Sequence, residues 1–164
     1  DKFIITKSLR SGYKNPAQIA HKVLADRMGQ RDIGNKPSAG DRIPFAYILT
    51  KKKGLQGDRI EHPGYIKEKK IKLDYGHYIT NQIMKPILQI YSLILFEIPA
   101  LKRKSLLVNR IKRELVALKN MDCDIKKKEE QIKNKYVQQL LFDKYIEKCE
   151  HIKCNTNSIT KFFK

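Results

Sequence analysis

The densest run of large apolar residues lies between Asp74 and Phe96, DYGHYITNQIMKPILQIYSLILF, where Tyr75, Tyr78, Ile79, Ile83, Ile87, Ile90, Tyr91 and Ile94 recur at steps of three and four. Such spacing gathers side chains on one face of a helix, so this segment is expected to be the helix around which the core forms. Asp74 is placed to cap its first turn by accepting backbone N–H bonds. Pro86 has no N–H to donate, so two helical halves meeting near Lys85 are expected.

Ahead of that segment the pattern changes twice. Lys2 to Leu9, KFIITKSL, has the β-branched and aromatic content of a short strand, and Ser11, Gly12 and Tyr13 then turn the chain. Asn15-Pro16-Ala17-Gln18 reads as a helix start, with Asn as cap, Pro first and Gln reaching back; Gly29, after Met28, reads as the stop. On this helix Ile19, Ala20, Val23 and Leu24 form the inner face, with Gln18, His21, Lys22 and Asp26 outside. Arg27 falls on the inner side, where it either snorkels past the helix end or finds a partner. Residues 31–41, RDIGNKPSAGD, have the composition of a loop. Arg42 to Leu49 reads as a strand that Pro44 confines to an edge or to its first residues. A basic turn, Lys51-Lys52-Lys53-Gly54, leads to a second strand at 57–61; His62-Pro63-Gly64 breaks it, and one helical turn follows at 65–70.

Past Pro99 the segments become long and amphipathic. Leu106, Leu107, Ile111, Leu115 and Leu118 stripe one helix, and Ile125, Ile132, Tyr136, Leu140 and Tyr145 stripe another. Met121-Asp122-Cys123-Asp124 is the expected turn of an antiparallel hairpin. The fold class is therefore mainly α with a small β element.

Composition adds a partner. Of 164 residues 35 are Lys or Arg and 17 Asp or Glu, a formal charge of +18. Divided at Leu101, 18 basic and 9 acidic residues precede and 17 and 8 follow, so each part carries +9. An excess this large and this evenly spread points to a polyanion. The four His are scattered, with no HxxxH or HExxH pair, no nucleophile elbow and no Gly-rich phosphate loop, which argues against an enzyme complete in itself. Cys123, Cys149 and Cys154 are odd in number and read as reduced thiols. Cys149-x-His151-x2-Cys154 has three ligands at the wrong spacing for a closed zinc site, so no metal is expected. Residues 87–98 are too short and too interrupted to cross a bilayer, no signal peptide is seen, and an intracellular setting is expected. The sequence begins at Asp1, without Met, and runs straight into a strand, which reads as a piece of something longer.

Four segments, ITKSL, QIAHKVLADRM, GDRIPFAYI and DYGHYITNQIMKPILQIY, stand in the order and spacing that resembles the thumb of a family B DNA polymerase of the delta-like, large-DNA-virus kind. The resemblance covers roughly Phe3 to Ile98 and implies a domain at 1–100 that closes on primer–template duplex just behind the active site. It implies that the parent is a DNA-directed DNA polymerase whose catalytic carboxylates and two Mg²⁺ ions belong to palm motifs such as DTDS and SLYPS. Neither motif occurs here, so no catalytic residue or cofactor is expected in this chain. Carried over segment by segment, the duplex contacts would be Lys7, Arg10, Gln18, His21, Lys22, Arg42, Tyr47, Tyr78, Asn81, Gln82 and Lys85. Cations neutralise phosphates, and amides and hydroxyls bond phosphate and sugar without reading a base. Tyr47 and Tyr78 serve either contact or core packing, and His21 either contact or a solvated surface.

The two four-cysteine clusters that end cellular delta-type enzymes are missing, which favours a viral type and leaves 101–154 as a helical extension. In the tail at 155–164, Thr156 to Phe163 is similar to the sliding-clamp box Q-x-x-[ILM]-x-x-F-F, with Ile159, Phe162 and Phe163 as the apolar plug and Thr156 in place of Gln. Either the box docks on a clamp or the end is frayed. The resemblance also implies the nucleus or a viral replication site as the place of work. The rival to all this is a free-standing basic helical adaptor for DNA or RNA, which the composition alone would equally permit.

Overall fold

A computed structural model describes residues 2–50, 54–118 and 124–154. The described residues form two compact units, one of residues up to 78 together with 152–154 and one of residues 79–151.

The first unit is built on a three-stranded antiparallel sheet of β1 (Ile5–Ser8), β2 (Arg42–Tyr47) and β3 (Ile60–Glu61), in that order. Ile5 pairs with Phe45 and Ser8 with Arg42, while Ala46 and Tyr47 pair with Glu61 and Ile60. Pro44 sits in the middle strand, yet opposite Thr6 of β1 and ahead of the two residues that meet β3. The half of β2 that carries it is thus paired on one side only, and a residue without an N–H costs the sheet little. Helix α1 (Ala20–Arg31) covers the sheet, placing Leu24 and Ala25 against Leu9, Ile43, Phe45, Tyr47, Ile60 and Tyr78. Each such aliphatic side chain taken out of water contributes about 1.5–3 kcal/mol, so this cluster is what holds the unit together.

The start of α1 differs from the sequence expectation. Pro16–Gln18 forms a 3-10 turn, Asn15 makes no side-chain cap bond, and the α-helix begins only at Ala20. Its end differs too: Gly29 lies buried within the helix, which continues to Arg31. A further 3-10 turn, Gln56–Arg59, takes most of the segment expected as a strand and leaves only two residues to β3. Gly57 in that turn faces Val23 so closely that a Cβ there would stand 2.8 Å from the Val23 Cβ, and only glycine lets α1 approach. Helix α2 (Pro63–Glu68) begins at Pro63, two residues earlier than expected, because the His62 ring accepts the Gly64 N–H and caps it.

The Asp74–Phe96 segment departs furthest from its prediction. Asp74 does cap α3 (Tyr75–Tyr78), its Oδ1 accepting the His77 N–H at 2.9 Å. A π turn at Ile79–Ile83 then interrupts the helix, α4 runs Met84–Tyr91, and a 3-10 turn follows at Leu95–Glu97. The change of helix type lies just ahead of Pro86, third in α4, whose missing N–H cannot bond back into the preceding turn. The apolar stripe, however, is not a core. Tyr75, Ile83, Ile90, Tyr91 and Ile94 are exposed, and of the predicted face Tyr78 alone is fully buried.

The second unit has its own core, formed by Leu95, Ile98, Leu101, Ile111, Tyr136 and Val137. After a short α5 (Pro99–Lys102), α6 (Ser105–Leu118) and α7 (Ile125–Leu141) pack on each other. Tyr136 donates to Glu114 at 2.6 Å across that seam. Burial raises the Tyr136 hydroxyl above its usual pKa, and the same hydrogen bond, helped by Lys135 and Arg110, holds Glu114 below the usual carboxylate range. The expected stripes hold except at their ends. Leu106 is 84% exposed, and Tyr145 belongs to a separate helix, α8 (Asp143–Cys154), because Phe142 ends α7 and turns inward. The expected turn at 121–123 and the tail from 155, with its clamp box, lie outside the described residues.

Candidate nucleic-acid interface

In the first unit β1 and the entry to α1 form a groove of about 400 Å³ lined by Thr6, Lys7, Ser8, Arg10, Tyr13, Ile19 and His21. Three predicted contact residues, Lys7, Arg10 and His21, are therefore brought together by a strand and a helix eleven or more residues apart in sequence. Tyr13 organises the groove. Its hydroxyl accepts the Arg10 backbone N–H at 2.8 Å and lies 3.0 Å from His21 Nε2, so it can donate to the neutral imidazole while it accepts from the chain. Burial, with the charge of Lys7 beside it, lowers the His21 pKa below its ordinary 6.5, against a hydrogen bond from the ring to the Ser8 backbone carbonyl that works the other way. The groove thus gathers the cationic side chains of Lys7 and Arg10 with the hydroxyls of Thr6 and Ser8, a donor set suited to a phosphate oxygen, while Tyr13 holds the His21 ring in place.

The other candidates separate into those that stay at the surface and those that do not. Gln18 is exposed on the 3-10 turn before α1. Arg42 is exposed at the start of β2, opposite Ser8; cross-strand partners share a face, so Arg42 rises beside Ser8 while Lys7 shares its face with Ile43. Lys22 is half-buried and ion-paired with Asp26 one turn on, which leaves it less to offer a phosphate. In the second unit Asn81 and Gln82 are exposed on the π turn and Lys85 on the first turn of α4.

Tyr47 and Tyr78 belong to the core, not to the surface. Tyr78 is 2% exposed; its hydroxyl donates to the Phe3 carbonyl and accepts the Tyr47 backbone N–H, both at 2.8 Å. Tyr47 is 5% exposed, its ring stacked 3.5 Å from that of His77 and its hydroxyl bonded by Gln56. Each tyrosine has an apolar body and a polar tip that the interior satisfies, which is the packing role left open for both.

Toward the end of α1 an ionic cluster fixes the helix to β3. Arg27 donates to the Ile60 carbonyl at 2.6 Å and the Gly57 carbonyl at 3.2 Å, and its Nε faces Glu61 at 3.4 Å. Of the two fates open to Arg27, partnership is the one realised. Arg31 completes the arrangement, bonding Glu61 at 2.8 Å and lying 3.6 Å over the Tyr65 ring. Glu61 is 3% exposed, and two guanidinium groups make that burial tolerable. Sequence reasoning missed Tyr13, Thr6 and Ser8 as groove residues and Glu61 as the buttress, since nothing in residue spacing links positions 13 and 21 or 27 and 61.

Among the described residues no group of three or more His, Cys, Asp or Glu side chains could hold a metal ion, and no helix is long and apolar enough to cross a membrane. Cys149 and Cys154 both lie on α8, half-buried and exposed respectively.

Comparison with known proteins places the sequence. The family described as DNA polymerase family B matches residues 1–94. A DNA polymerase of Pyramimonas orientalis virus is 43% identical over 166 residues, 99% of this chain and 14% of that protein. A DNA polymerase of Acanthamoeba polyphaga mimivirus is 54% identical over 58% of this chain and 6% of its own length. The DNA polymerase delta catalytic subunit of Caenorhabditis elegans is 42% identical over 56% of this chain and 9% of its own. The chain thus spans a small part of these relatives, and the match to the Pyramimonas orientalis virus protein takes in residues 101–154 as well. With its first 94 residues matched and a viral relative aligned along nearly its whole length, this chain belongs to DNA polymerase family B.

Proposed function

We propose that this chain is the C-terminal, thumb part of a DNA-directed DNA polymerase and that it grips primer–template duplex through backbone phosphates during template-directed replication. The observation that carries the reading is the groove where Lys7, Arg10 and His21 converge inside the family-matched region. Exposed Gln18, Arg42, Asn81, Gln82 and Lys85 supply further donors of the kind that bind phosphate and sugar irrespective of sequence. Bond formation, with its Mg²⁺ ions and carboxylates, belongs in this reading to the remainder of the polymerase, and this chain by itself adds no nucleotides. The rest of the polymerase is then its obligatory partner, and the nucleus or a viral replication site its place of work. A sliding clamp is a second partner in this reading, taken by Ile159, Phe162 and Phe163.

Binding of a labelled duplex at several salt concentrations tests the grip. Affinity falls steeply as salt rises, with a log–log slope of about −0.9 for each phosphate neutralised, and is indifferent to base sequence. A flat salt response refutes phosphate gripping. For the clamp, Phe162→Ala with Phe163→Ala abolishes binding to a sliding clamp; unchanged binding retires that box.

A further inference from the structure

From Lys102 to Arg113 the chain carries six basic residues, Lys102, Arg103, Lys104, Arg110, Lys112 and Arg113, and no acidic one. All six are exposed. The sole acid of α6, Glu114, is drawn to the α7 side, where Tyr136 donates to it and Arg110 and Lys135 lie 3.4 and 3.9 Å away. Helix α8 is charged differently: Asp143, Glu147 and Glu150 balance Lys144, Lys148 and Lys153. Charge kept only for solubility is interspersed in sign, as α8 shows, whereas residues 102–113 concentrate one sign and bear its self-repulsion.

The geometry of α6 sharpens this. Asn109, Lys112, Arg113 and Val116 share the outer face, opposite Ile111 and Leu118, which are buried. Lys102 is occupied by Glu97 and Arg110 by Glu114, but among the described residues Arg103, Lys104, Lys112 and Arg113 form no ion pair. Arg113 reaches only the Asn109 carbonyl of its own helix, at 3.4 Å. From Lys104, the residue before α6, to Arg113 the chain advances about 14 Å, a stretch over which a duplex presents about eight phosphates, some half of them on the near side.

We propose that the outer face of α6, with Arg103 and Lys104 at its head, is a second contact surface for the DNA duplex, outside the family-matched residues and independent of base sequence. It rests on the polymerase reading only for the choice of DNA over RNA. Lys112 and Arg113 on that face and Arg103 and Lys104 ahead of its first turn supply four cations for phosphates, and Asn109 adds a neutral donor among them.

The test uses the full chain and two variants, each with Arg or Lys replaced by Gln: Arg103, Lys104, Lys112 and Arg113 in one, Lys7, Arg10, Arg42 and Lys85 in the other. Duplex DNA and duplex RNA of the same sequence are titrated across a salt series. The α6 variant loses about three and a half units of log–log salt slope on DNA, while thermal unfolding is unchanged because all four residues are exposed. Lys104→Arg with Lys112→Arg, which keeps the charge, keeps the slope. An unchanged slope in the folded α6 variant, or a loss on RNA alone, overturns the proposal. A loss in the α6 variant with none in the Lys7 variant leaves this surface standing and removes the groove; the reverse pattern removes this surface and leaves the groove.

Discussion

Single side chains carry more of this structure than their chemistry in isolation suggests. The Tyr78 hydroxyl bridges the part-buried Phe3 carbonyl and the buried Tyr47 N–H, and Tyr78→Phe leaves both main-chain groups without it. Chemical denaturation is expected to show a loss of about 1–3 kcal/mol, the usual cost of stranding buried polar groups; a neutral result would mean that water replaces the hydroxyl. His21 gives a pH-dependent signature. Its lowered pKa means that the folded groove prefers the neutral ring, so the stability it contributes is complete above about 6.5 and is lost as pH falls through the lower folded value. A phosphate in the groove reverses that preference, and duplex binding then takes up a proton. Affinity is therefore expected to rise several-fold as pH drops from about 7.5 to about 6, and His21→Gln should flatten the dependence. A wild-type profile as flat as the variant's would mean that no phosphate reaches His21. The residue scale is also where sequence was least legible. Tyr47 and Tyr78 carried no mark separating a contact from a core role, because a tyrosine's amphipathic shape serves both, and Arg27 was decided by carbonyls at 57 and 60 that only the fold brings near it.

Among the elements, the helix that organised the sequence reading is the one whose role changed most. The local pattern announced helix in 74–96, Asp74 as its cap and two halves meeting near Lys85, where α4 in fact follows a π turn at Met84, since these depend on neighbours in sequence. It could not announce which side of that helix is covered. Leu93 is 82% exposed and Leu95 is 1% exposed, two residues apart in one apolar run. Leu95→Ala is accordingly expected to cost about 2–5 kcal/mol by opening a cavity in the second core, and Leu93→Ala less than about 0.5, as a surface change does. Equal losses in thermal or urea unfolding would mean that Leu93 is covered in solution. The short strands show the same division. Their β-branched content was readable, but β3 shrank to two residues because Gly57 was needed for a close approach to Val23.

For the molecule as a whole, the charge of +18 and the order of four segments were what sequence supplied most securely, and both bear on function more than on fold. The first 94 residues match DNA polymerase family B, and their exposed cations are the part of the candidate site that the fold leaves available. The most direct measurement of the central claim is primer extension by the full-length polymerase carrying Lys7→Ala, Arg10→Ala, Arg42→Ala and Lys85→Ala together. A gripping role predicts that the number of nucleotides added per binding event falls about tenfold or more, while the rate of adding a single nucleotide at saturating enzyme is retained. Equal loss of both, or undiminished processivity, would contradict it.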